Sequence, residues 1–583
     1  MRDDLQYRAN FLTLLTMKKV GDTIKPYLKK AGWIMKRPDI SKLTLRQKIA
    51  QTCVVRQSDL LMKPETQYSE LQPEGFAVEN MRKNQYGAVW SHGNVDVNQM
   101  GPKLYASFEF TPEKYLEWIK TLDEVAEIPL ICANDPGVNV HGLSPAMTGL
   151  MVGAAGDEEL AYELGRMTGL EQNSYGSNWI WAPMVDLLNR FSSGIIRPFS
   201  NYRDDLSRLA AAYIKGMQSE KVAATAKHFP GEDPYDTRDG HVIPTYIRSS
   251  LEEWEENQGK VFQHLIDSGV QAIMMATRAF PAVDDTKIGG KYVTAALSHK
   301  IVTGLLKEKM GFEGVVITDD VTMSGYTSFY PHEQLYVEFL KAGNDMLLGV
   351  GVDAVDLIEQ GVLRGDLSEE RIDDACRRIF DFKEKLGLFD DDFRRGVNKL
   401  EDLKPLTAEV KRKISEKGVT LLQDENNLIP LSRDKIKNVR IICYTMREYV
   451  VDRLEPLRKA FEARGAKATV QRRLSSWDEL AEIDRENDLI VYVGYIGFHA
   501  PKGAPSFYDD ELWSLRYAFT AGAEKSVGIS LAYPHIHYDF MVECGTFANL
   551  YGLAPEAQEA FVAAMYGEIP FVGKSPVDLS HEY

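Results

Sequence analysis

Residues 298–320 read SHKIVTGLLKEKMGFEGVVITDD, and this stretch decides the fold. Ser298–Met310 carries a helical pattern, and Gly314–Asp320 is an apolar run that ends on two aspartates. Apolar runs without alternation are how strands buried on both faces read. Working outward, similar runs recur at Thr52–Val55, Gly87–Trp90, Pro129–Asp135, Asn178–Leu187, Val222–Phe229, Gln271–Arg278 and Asp345–Val350. Helical patterns such as Glu158–Asn173 lie between most of them. Eight strand–helix alternations predict an α/β fold with a (β/α)8 TIM-like barrel; a doubly wound open sheet is the competing topology.

The barrel is expected over residues 42–388. It closes on a helix with Ser368 as N-cap, an apolar stripe of Ile372, Ala375, Cys376, Ile379, Phe382 and Leu386, and Gly387 just past its end. The polar stretch 389–405, FDDDFRRGVNKLEDLKP, opens a linker placed at 389–410. Residues 411–583 alternate again, with strands expected at Val439–Thr445, Ala468–Arg473, Asp488–Ile496, Lys525–Tyr533 and Asn549–Ala554. This predicts a three-layer α/β sandwich domain, and no GxGxxG opens a helix there. Residues 1–41 read as an N-terminal helical extension.

A chain of 583 residues is too long for one core, and its formal charge of −17 argues against a nucleic-acid partner. The five cysteines are scattered without metal-ligand or disulfide spacing, so they read as core residues of a reducing compartment. The N-terminus has acidic residues where a signal peptide wants basic ones, and its apolar run is too short to span a membrane. A cytoplasmic protein with no membrane partner, no metal and no cofactor is expected. A homodimer is compatible with the sequence.

In such a barrel the chemistry gathers where strands end. The third run ends in Asp135, the fourth in Asp186, the fifth in Lys227 and His228, and the seventh in Asp319 and Asp320. A lone Asp there is most often a cap or turn residue. Several facing one mouth point to a site for a small polar molecule. A glycosidase needs an anionic group under the anomeric carbon and a proton donor beside the leaving oxygen. Asp319 suits the first role. The loop PGEDPYDTRDGHVIP, residues 230–244, carries Asp239 and His241 two residues apart. In an extended stretch they would share a face, letting the carboxylate set the imidazole's tautomer. Taken alone, D-x-H in a loop reads better as a surface Asp and a turn His.

Together, LTLRQKIAQ, NWIWAPMVDL, IIRPFS, KHFPG followed by D-x-H, GVVITDD and GVTLLQDENNLIPL resemble glycoside hydrolase family 3 over residues 42–575. The resemblance implies a carbohydrate substrate and a retaining, exo-acting enzyme of the β-N-acetylglucosaminidase branch. It implies Asp319 as nucleophile of a covalent glycosyl-enzyme and His241 with Asp239 as acid/base. It also implies that Asp135, Arg197, Lys227 and His228 bind sugar hydroxyls, while Asp186 reads as structural and Asp320 as a brace. There are departures from the branch's pattern. Glu232 and Asp233 follow Gly231 where the branch has KHFPGHG, and PGVNVHGL follows Asp135 with Asn139 or His141 where an arginine is usual.

Three alternatives stay open: a phosphorylase using the same dyad, a β-glucosidase-like member with Glu511 as acid/base, and a non-catalytic sugar-binding protein. Trp179 and Trp181 read as core before sugar platforms. Met323 reads either as pocket wall or as packing, and His535 and His537 read as structural before metal-binding.

Overall fold

A computed structural model describes residues 36–61, 74–91, 112–135, 147–233, 236, 238–497 and 505–579. Residues 1–35 of the expected extension, and Asn139 and His141, lie outside the described residues.

The eight apolar runs become β1 Cys53–Arg56, β2 Ala88–Ser91, β3 Ile131–Asn134, β4 Trp179–Ile180, β5 Ala223–Phe229, β6 Ala272–Met275, β7 Val315–Ile317 and β8 Leu347–Val350. They form one eight-stranded sheet with β8 beside β1 and all neighbours parallel. Thr318 N–H donates to Met346 O (3.1 Å) and Val321 N–H to Leu348 O (3.0 Å), which joins β7 to β8 and curls the sheet into a barrel rather than the open alternative. Successive strand residues alternate between two cores, as the pleat requires. Val54, Ile131, Trp179, Met274 and Ile317 fill the interior, while Val55, Cys132, Ile180, Ile273 and Val316 pack outward.

The helix Glu369–Lys385 starts as expected, with Ser368 accepting from Arg371 N–H, and Gly387 beyond it takes φ +71°. Its stripe joins the interior core, and Phe382 packs edge-on to Trp179 at 5.1 Å. Lys383 on the same helix donates to Gln51 Oε1 and Pro129 O, each at 2.6 Å. Both acceptors precede strands, so this helix covers the end of the barrel opposite the strand C-termini.

β4 is shorter than its apolar run because Pro183 has no N–H to donate to the ladder. Pairing resumes at Met184 opposite Lys227. Leu400–Gly418 is helical, so the expected linker over 389–410 ends by residue 399. That helix is not a tether: it packs on the helices Gly149–Ala155, Glu158–Ser174 and Pro555–Met565 and buries Leu403 and Ile414.

The second domain holds a six-stranded sheet of β9 Thr420–Asp424, β10 Asn438–Thr445, β11 Lys467–Arg472, β12 Leu489–Tyr495, β13 Ser526–Ser530 and β14 Thr546–Asn549, in the order β9-β14-β13-β12-β10-β11. Only β9 runs antiparallel, and it is an edge strand absent from the sequence reading. The last strand stops at Asn549, not Ala554, because the chain turns at Tyr551 with φ +48°. Gly552 then bridges to Met147 of the barrel, and Thr148 Oγ1 donates to Tyr551 O.

Candidate active site

The strand ends hold one another. Lys227 at the end of β5 donates through Nζ to both carboxylate oxygens of Asp135 after β3, at 3.2 Å each. Burial pushes the Lys227 ammonium below its usual pKa and Arg197 pushes the same way, while Asp135 and Asp319 partly restore it. Asp135, Arg197 and Asp319 thus all lie within electrostatic reach of the Lys227 ammonium. The register of β5 against β6 slips between Lys227 and Phe229. A bulge of this kind re-aims side chains, and the consecutive Lys227 and His228 both reach strand-end carboxylates.

His228 is held twice by Asp186, which accepts from its backbone N–H at 3.2 Å and meets Nδ1 at 2.8 Å. A carboxylate only accepts, so Nδ1 carries the proton and Nε2 is turned toward the mouth. Nε2 lies 3.9 Å from Asp319 Oδ2. The fully buried Asp186 is thus structural in a specific sense: it fixes a ring that faces Asp319.

Asp319 and Asp320 are separated by their bonds. Asp319 Oδ1 accepts from Asp320 N–H at 2.8 Å. The Asp320 carboxylate is spent on the loop: Oδ1 accepts from Arg56 Nη2, from Thr322 N–H at 2.9 Å and from Thr322 Oγ1 at 2.7 Å. Gly349 makes room, since a Cβ there would stand 2.7 Å from Arg56 Nη2. Asp320 is the expected brace.

Asp239 and His241 pair, though not across an extended stretch. Val242 and Ile243 N–H both return to Asp239 O at 3.1 Å, which makes a turn. Within it Asp239 Oδ1 accepts from His241 N–H at 2.9 Å and meets Nδ1 at 2.6 Å. The turn is wedged between the segments that follow β6 and β7. A Cβ on Gly240 would lie 2.3 Å from Thr277 Oγ1, and one on Gly325 would lie 2.5 Å from Gly240 O. Ser324 N–H, in the loop that Asp319 begins, donates to His241 O at 3.0 Å.

Several contributors were missed in the sequence. Arg56 ends β1 and Arg278 lies three residues beyond β6, so the rule that found Asp135 and Asp319 also reaches them. Arg278, at the last position of the sixth apolar run, pairs with Glu232. Trp179 and Trp181 are buried in the barrel interior and pack edge-on to each other at 5.9 Å. Met323 packs against the core. His535 Nε2 bonds Asp578 O at 3.0 Å, and His537 packs against Phe547. Glu511 lies buried between Arg472 (2.6 Å) and Arg473 (3.0 Å) within the second domain. Both carboxylate contacts are ion pairs inside that domain, so the Glu511 side chain is engaged there.

Comparison with known proteins adds the lineage. Residues 44–382 match the pattern described as the N-terminal domain of glycosyl hydrolase family 3. The chain belongs to glycoside hydrolase family 3. It is therefore a glycoside hydrolase, and its substrate is a carbohydrate. It is 26% identical over 492 residues to a protein of Cellulomonas fimi named β-N-acetylglucosaminidase/β-glucosidase, covering 79% of this chain and 85% of the relative. It is 32% identical over 240 residues to a β-hexosaminidase of Tolumonas auensis, covering 40% and 69%. Among solved structures it shares the fold of a β-glucoside phosphorylase, with a TM-score of 0.78, 22% identity and 93% and 95% of the two chains covered. It also shares the fold of a family 3 β-N-acetylglucosaminidase from Paenibacillus, with a TM-score of 0.74, 23% identity and coverage of 93% and 100%. No described helix is long and apolar enough to cross a membrane.

Proposed function

We propose that this family 3 enzyme is a retaining, exo-acting β-N-acetylglucosaminidase in which Asp319 is the nucleophile and His241, held by Asp239, is the acid/base. The observation that carries the reading is the Asp239–His241 turn, hydrogen-bonded through His241 O to the loop that Asp319 begins. Asp319 Oδ2 attacks the anomeric carbon while the proton on His241 Nε2 passes to the leaving oxygen. The Nδ1 proton stays on the bond to Asp239, which holds the ring in place while Nε2 gives up its proton. His241, now neutral, then takes a proton from the incoming acceptor. Asp135, Arg197, Lys227 and His228 hold the sugar hydroxyls by charge-assisted hydrogen bonds. Five buried, unpaired cysteines support a reducing, cytoplasmic setting.

A phosphorylase is the second reading, and the dyad suits it as well as it suits a hydrolase. An anionic carboxylate base repels phosphate, whereas a neutral imidazole does not. A panel of chromogenic β-glycosides, run with and without inorganic phosphate, tests both. Fastest turnover of the N-acetylglucosaminide, unchanged by phosphate, is the expected result. Release of a sugar 1-phosphate would establish the second reading. Turnover of β-glucosides alone would refute the assignment of the sugar.

A further inference from the structure

Glu232 and Asp233 break the motif that surrounds them, and the structure gives both a partner. Glu232 forms an ion pair with Arg278, whose side chain is 3% exposed, and Arg278 Nη2 also donates to Arg238 O at 3.3 Å. Asp233 is fully buried; its Oδ2 accepts from Arg248 N–H at 2.6 Å and its Oδ1 lies 3.6 Å from Arg248 Nη2. The returning limb of the same loop, Thr245–Tyr246, pairs in parallel with Arg278–Ala279. Between these attachments stand Asp239 and His241.

We propose that Glu232 and Asp233 are positioning residues that clasp the His241 loop to the rim of the barrel. Through Arg278 and Arg248 they tie both limbs of the loop to one another and to the segment after β6. Without the clasp, a loop rich in Gly, Pro and Asp has many conformations, and His241 occupies the productive one for only a fraction of the time. The clasp acts on proton donation and leaves the Asp319 pocket, built by β3, β5 and β7, as it is. This inference rests on His241 being the acid/base.

The test uses the full-length enzyme and a series of aryl glycosides of its preferred sugar, graded from activated to poor leaving groups. Activated aglycones leave without a proton and poor ones do not, so the series reports proton donation separately from sugar binding. Loss of general acid catalysis is worth roughly 10²–10⁴-fold, which is the ceiling set by His241→Ala on the poorest leaving group. Glu232→Gln should lose about 10–100-fold there and less than about 3-fold on the most activated aglycone, with Asp233→Asn moving the same way by less. In the Glu232→Gln/His241→Ala double variant the loss on poor leaving groups should be no greater than in His241→Ala alone, because both act through one group. Thermal unfolding of each variant confirms that it is folded, and Asp233→Asn serves if Glu232→Gln is not. Equal losses across the series, wild-type behaviour, or additive losses in the double variant would each overturn the clasp. A flat series for His241→Ala would overturn the acid/base assignment and the clasp with it, whereas contrast in His241→Ala alone would overturn only the clasp.

Discussion

At the end of β7, Asp319 receives one backbone N–H while Asp320 is tied to Arg56 and Thr322. The two neighbours are therefore separable by measurement. Removing the Asp320 carboxylate leaves the Arg56 guanidinium, 15% exposed, with Asp59 at 3.3 Å as its remaining carboxylate. Stranding a buried charge costs about 3–5 kcal/mol, and partial exposure together with Asp59 brings the expected cost of Asp320→Ala to about 1–3 kcal/mol. Chemical denaturation should show that loss, with a fall in kcat well below that of Asp319→Asn. Unchanged stability would contradict the bracing role. Much of this site was legible from where apolar runs stop: Asp135, Asp186, Lys227, His228 and Asp319 all follow from that rule. What stayed hidden was pairing. Nothing in the spacing of Glu232 and Arg278, or of Arg56 and Asp320, says that they meet: the first pair is joined when β5 pairs with β6, the second when the barrel closes.

At the scale of elements, buried strands announced themselves by continuous apolar runs, and they are found within a few residues of their expected ends. The exceptions have local causes, such as the missing N–H of Pro183 in β4 and the turn at Tyr551 after β14. Residues 400–410 of the helix Leu400–Gly418 fall in the expected linker because its exposed face is densely charged; its buried side is recognisable only once the neighbouring helices are present. The helix beneath the barrel carries a testable oddity. Burial pushes Lys383 down to about 7, against about 10.4 for an unfolded lysine. Between those values the unfolded chain binds the extra proton, so stability rises with pH across the window, and the burial penalty is greatest below about pH 7. Lys383→Met has no amine to titrate. Urea midpoints at pH 6, 7.5 and 9 should show wild type gaining on the variant by up to a few kcal/mol. Parallel curves would contradict the buried amine's depressed pKa.

Over the whole molecule, loops of the barrel and of the second domain meet beyond the end of β4. Arg190, after β4, pairs with Asp539, and Tyr533 Oη donates to Arg190 O at 2.8 Å. The tail returns to the barrel where Asn201 N–H donates to Pro576 O at 2.8 Å. The two-domain order was legible in the alternation of runs. That meeting was not, because it is made of loops that carry no period. In the proposed mechanism Asp319 is the group without a substitute, since a nucleophile bonds to the sugar itself. Trapping with a fluorinated slow substrate, followed by peptide mass mapping, tests it most directly. The expected result is one glycosyl adduct on residues 314–323, GVVITDDVTM, carried by Asp319 and absent from the Asp319→Asn protein. An adduct on Asp320 or on another peptide, or no adduct together with a product of inverted configuration, would contradict it.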